Sequence, residues 1–132
     1  MPPEIPLDEI AKLYSKLGDA GIRKLVDRFY DIMDSNPDAA RIRAFHPKDL
    51  TRSRDKLYMF LVGRFGGPPL YADAFGHPML RARHAPFPIG DAERDQWMRC
   101  MRQSVEENVP DKHTAELMTN FFQVVADSMR NQ

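Results

Sequence analysis

The chain has 132 residues, 42% of them hydrophobic and 29% charged, which suits one folded domain and excludes a largely disordered one. Nineteen Lys+Arg balance nineteen Asp+Glu, so no global basic field exists for nucleic acid or an anionic membrane. The single cysteine, Cys100, excludes an internal disulfide framework and a Cys-rich zinc site; with no long apolar run and no basic, apolar start, a soluble cytoplasmic protein is expected.

Helical periodicity runs through the chain. Leu7, Ile10, Leu13, Tyr14 and Leu17 mark a first amphipathic helix, which Gly18 and Gly21 break. Ile22, Leu25, Val26, Phe29, Tyr30 and Met33 form the apolar stripe of a second, stopped by Asn36-Pro37. A turn over 38–44 leads to Phe45-His46-Pro47. A third helix begins near Leu50-Thr51, carries Leu57, Phe60 and Leu61 inward, and ends at Gly66-Gly67-Pro68-Pro69.

The stretch from Gly66 to Gly90 is the least regular, and only one helical turn, Met79 to Arg83, fits inside it. An irregular segment of that length inside a small domain calls for another organiser, and a bound ligand would serve. A fourth helix starts at Asp91 as cap, with Trp97, Met98, Met101 and Val105 on its inner face. Pro110 ends it, and Asp111 caps a last helix bearing Leu117, Met118, Phe121, Phe122 and Val125. No segment alternates with period two, so the fold class is all-α, one domain over residues 1–132.

Eight Met and eight Phe serve an ordinary core, or one built around a planar ligand. The four histidines show no zinc spacing, and no phosphate-binding glycine motif occurs. His84 ends the short helix, after Arg81 and Arg83 and before Pro86-Phe87. A neutral imidazole on such a corner is placed to hold a metal from one side; the alternative is a capping histidine beside solvated arginines. Tyr30, His46 and Trp97 are polar-tipped side chains on separate elements, able to converge on one small polar ligand or to serve as core residues.

Gly66-Gly67-Pro68, Tyr71, Gly76-His77-Pro78, Leu80, Arg83-His84, Pro86-Phe87, Ile89, Glu93-Arg94-Asp95 and Trp97, in that order, resemble the truncated haemoglobins, and group II of that family in particular. The resemblance spans roughly residues 9–128. It implies a shortened globin fold, a two-over-two α-helical sandwich holding haem b. It implies His84 as the proximal iron ligand. It implies Tyr30, His46 and Trp97 as hydrogen-bond donors to a diatomic ligand on the opposite face. Ser53 takes the distal-helix position nearest that ligand and is too short to replace the histidine of ordinary globins. Phe29, Leu57, Phe60, Phe87 and Trp97 line the haem, Tyr71 belongs with the cofactor-binding set, and Lys56 and Arg83 pair with the propionates. Gly18-Asp19-Ala20-Gly21 departs from the Gly-Gly pair common in the family.

The implied function is reversible binding of dioxygen, with NO and CO as related ligands. Two rivals stand beside it. One is a haem enzyme that turns over NO, peroxide or peroxynitrite with an external reductase. The other is a helical interaction module without haem. Either a monomer or a homodimer is compatible with the sequence.

Overall fold

A computed structural model describes residues 5–132. Its described residues are helical and turn, with no strand, in an all-α sandwich of two helix pairs. Eight helices follow in order: α1 (Leu7–Ile10), α2 (Leu13–Ser35), α3 (Ala40–Ala44), α4 (Thr51–Arg64), α5 (Leu70–Phe75), α6 (Leu80–His84), α7 (Asp91–Asn108) and α8 (Lys112–Met129).

The two long pairs are α2 with α4 and α7 with α8, and α2 packs across α7 to join them. The crossing is close because Ser104 is small and buried; its hydroxyl donates to the Leu25 carbonyl at 2.6 Å. Ile22, Leu25, Val26, Phe29 and Met33 of α2 meet Met98, Met101 and Val105 of α7 in the shared core. Phe65, Phe121 and Phe122 fill the far end with edge-on ring contacts.

The first helix breaks earlier than its periodicity suggests. α1 stops after one turn, and α2 starts at Leu13 and runs through Gly21. Gly18 alone bends it, with φ at +70°, a conformation open to glycine at little cost. The stretch after Asn36 is more ordered than a turn: a short 3₁₀ segment, Pro37–Ala39, leads into α3, where Ala39 and Ile42 are buried anchors.

Helix α5 has no counterpart in the periodicity. Pro68 and Pro69 precede its first turn, where a missing N–H costs nothing, and Gly76 at φ +81° ends it. Helix α6 lies one residue later than expected, at Leu80–His84. The cap of α7 is Gly90 rather than Asp91. Glu93 Oε1 accepts the Gly90 N–H at 2.8 Å, and its Oε2 lies 3.2 Å from Arg41 of α3. Asp111 caps α8 as its position predicts, accepting from the Thr114 N–H at 3.0 Å.

Helix α4 packs closely on α2 and α5, whereas α6 packs on α8. Along α4 every residue from Ser53 to Phe60 is only half-buried, and α6 contains no buried residue. The apolar residues of α6 and of this stretch of α4 are therefore incompletely covered by protein, whereas Leu61 and Val62 further along α4 are fully buried.

Candidate functional site

Helix α6 is one turn long, and its entry is strained. Met79 adopts φ +48°, ψ +51°, the left-handed region that side chains disfavour. Three contacts hold the turn in place. The Met79 N–H donates to His77 Nδ1 at 3.2 Å, Arg83 Nε donates to the Pro78 carbonyl at 2.7 Å, and the Arg83 N–H donates to the Met79 carbonyl at 3.0 Å. At the other end His84 is half-buried, and its Nδ1 lies 2.7 Å from the Leu80 carbonyl. A carbonyl only accepts, so Nδ1 carries the proton and the neutral ring keeps its lone pair at Nε2. That is the tautomer a metal needs.

Tyr30, His46 and Trp97 come together from three elements. The Tyr30 ring packs edge-on to Phe29 at 4.9 Å and to His46 at 5.7 Å, and Phe29 lies 5.1 Å from Trp97. Burial pushes the Tyr30 phenol well above its usual range, against a smaller opposing effect of Arg54, so it remains a proton donor. Neither the Tyr30 hydroxyl nor the Trp97 indole N–H has a hydrogen-bond partner among the described residues. Neither is among the fully buried unpartnered atoms, which are Asp27 Oδ1, Glu93 Oε2 and Gln96 Oε1, so each stays open to a small ligand.

His46 repeats the device of His84. Its Nδ1 lies 2.8 Å from the Ile42 carbonyl, which fixes the proton there and leaves a lone pair at Nε2. Burial depresses its pKa, against the opposing effect of the Ile42 carbonyl and with a smaller lowering by the Arg43 charge, which favours the neutral ring. In that state its free nitrogen accepts hydrogen bonds; donation there requires a second proton. Arg43 clamps the corner behind it, donating to Asp34 Oδ1 at 2.8 Å, Pro47 O at 2.9 Å and Lys48 O at 2.8 Å.

Ser53, Lys56, Leu57 and Phe60 follow a spacing of three or four and share one face of α4. Phe60 meets the buried Tyr71 edge-on at 6.5 Å, and Tyr71 stacks on Phe75 at 5.0 Å. Two cations lie over these rings, Arg83 over Tyr71 at 5.6 Å and Lys56 over Phe75 at 5.3 Å. Phe87 follows His84 and packs on Phe45 at 5.4 Å.

The family profile of bacterial-like globins matches residues 12–131. This chain belongs to the bacterial-like globins. Among relatives, the group 2 truncated hemoglobin YjbI of Bacillus subtilis is 37% identical over 119 residues, 90% of this chain and 88% of that one. The group II 2-on-2 hemoglobin from the plant pathogen Agrobacterium tumefaciens superimposes with a TM-score of 0.88 at 46% identity, covering 92% of this chain and 95% of its own. The X-ray structure of truncated oxygen-avid haemoglobin from Bacillus subtilis gives 0.83 at 36% identity, covering 89% and 98%.

Membership brings a haem cofactor and small gas ligands at its iron, and this globin's residues fit such a group. It has an imidazole of the right tautomer, half-buried apolar side chains on α4, α6 and α7, and unpaired donors on α2 and α7. Several neighbours carry no motif in the sequence. Phe45 and Phe75 look like ordinary helix residues, and Arg43 and Arg54 like solvated charges. Arg54 in fact donates to the Asp27 carbonyl at 2.9 Å and to Asp31 at 2.7 Å while lying 5.9 Å over the Tyr30 ring. A basic residue beside Ser53, one helical turn from Leu57, is the sole signal for it.

Proposed function

We propose that residues 1–132 are one haem b-binding globin domain that binds dioxygen reversibly, with NO and CO as related ligands, in the cytoplasm. Bound haem supplies an iron that takes up diatomic gases reversibly. His84 Nε2 would hold that iron, and its Nδ1–H bond to Leu80 keeps the ring from turning away. Phe29, Leu57, Phe60, Tyr71, Phe87 and Trp97 line the ring. Lys56 and Arg83 pair with the propionates near the surface, where each pair contributes only about 0–1 kcal/mol.

The observation that carries the reading is the pair of unpaired donors. Tyr30 O–H and Trp97 N–H each lack a side-chain partner among the described residues, and each would donate to a diatomic ligand held at the haem. His46 Nε2 carries no proton while the ring is neutral, so His46 borders the network without adding a third donor. Ser53 closes the α4 side of the pocket. Hydrogen bonds of this kind act mainly on release, so slow release and high affinity follow.

Stopped-flow displacement of dioxygen from Tyr30→Phe and Trp97→Phe tests the reading. A lost bond of about 1–1.5 kcal/mol makes release about tenfold faster in each variant. Parent-like release in both variants overturns the donor assignment.

A further inference from the structure

We propose that Asn131, beyond the last helix, is a positioning residue for the iron-binding histidine. This rests on the reading of His84 as the ligand. The loop 85–90 has no helix to satisfy its backbone, and two of its residues, Pro86 and Pro88, have no N–H to give.

Asn131 meets those needs from outside. Its Oδ1 accepts the Ile89 N–H at 2.9 Å, and its Nδ2 donates to the Phe87 carbonyl at 2.8 Å and reaches the His84 carbonyl at 3.5 Å. Its own backbone N–H donates to the Ile89 carbonyl at 2.8 Å, and the Gln132 N–H shares that acceptor at 3.2 Å. The partners fix the amide's orientation, since one is a donor and the others are acceptors. Only one side chain of this geometry does both: an aspartate lacks the donor and an alanine lacks everything.

The tail is itself aimed. Arg130 Nη1 donates to Asp91 Oδ1 at 2.7 Å, tying the end of α8 to the start of α7, and Arg94 donates to Asp127 at 2.6 Å beside it. The lock joins α8 to the loop immediately after His84, while Ile89 is buried beneath it. Helix α6 has no buried residue of its own and packs on α8. Asn131 therefore stands where a longer proximal helix would otherwise hold the imidazole by its own ladder.

The test compares haem-loaded parent, Asn131→Ala and Asn131→Asp, with His84→Gly as control. Three quantities are read: haem loss to a scavenging apoglobin, the iron–histidine vibration of the ferrous form, and amide exchange of Ile89 in the haem-free protein. We expect haem loss about fivefold to tenfold faster in Asn131→Ala, the scale of one or two lost hydrogen bonds. The vibration should shift or broaden, and the Ile89 amide should exchange faster. Asn131→Asp, which keeps the acceptor for Ile89, should retain slow Ile89 exchange yet show the altered vibration. Parent-like vibration and haem loss in both variants overturn the proposal. A vibration that survives in His84→Gly instead overturns the assignment of His84 itself.

Discussion

Met79 illustrates how much a single residue can hold in tension. Its left-handed backbone is disfavoured for a side-chain-bearing residue, and the residue is 57% exposed, so packing returns little. Met79→Gly should raise stability by about 1 kcal/mol, read as a higher urea midpoint. A lowered midpoint would mean that the thioether contributes contacts outweighing the strain. At this scale the sequence was partly legible. The ordered motif around His84 and Trp97 carries the family resemblance, because each lies in a run of unusual residues. The Nδ1–H bonds of His46 and His84 were not legible, since an i−4 carbonyl partner leaves no trace in composition. The bond matters chemically: with Nδ1 protonated toward Ile42, a neutral His46 would accept at Nε2, where the family resemblance implies a donor.

Between elements, close backbone approach decides most outcomes. Gly66 has φ +97°, and a Cβ there would fall 1.8 Å from the Ala11 carbonyl oxygen, where the chain before α2 crosses the end of α4. The neighbouring Tyr14 N–H to Phe65 carbonyl bond, 2.8 Å, fixes that crossing. Gly66→Ala should cost about 3 kcal/mol or more, since both strain and overlap oppose it; an unchanged denaturation midpoint would contradict that crossing. Helix α8 supplies a pH-dependent share of stability. The Thr114 hydroxyl and N–H hold the Asp111 carboxyl below its ordinary value of 3.8. The unfolded chain therefore takes up that proton more readily, so the contribution is fully present above the ordinary value and is lost as pH falls through the folded one. Thermal melts from pH 6 to 3 should show a shallower acid decline for Asp111→Asn, which keeps a neutral cap; parallel profiles would remove Asp111 from the acid response. The long helices and the Asp111 cap were readable from periodicity and cap chemistry. Helix α5 was not, because Pro68, Pro69 and Gly76 read as breakers when they are in fact its boundaries.

Across the whole molecule, two well-packed helix pairs leave half-buried apolar side chains on α4, α6 and α7 and unpaired donors on α2 and α7. Folding alone gives no reason to leave Leu57, Phe60, Phe87 and Trp97 half-covered in a chain that also holds two imidazoles with free nitrogens; a flat, iron-bearing ligand does. Visible spectra of the haemin-loaded protein in ferric, reduced and CO forms, for parent and His84→Gly, test this most directly. The account predicts a saturable Soret band in the parent that shifts on reduction and again on CO addition. It predicts a lost or altered band in His84→Gly that free imidazole restores. Identical, saturable spectra in both proteins would contradict His84 as the iron ligand.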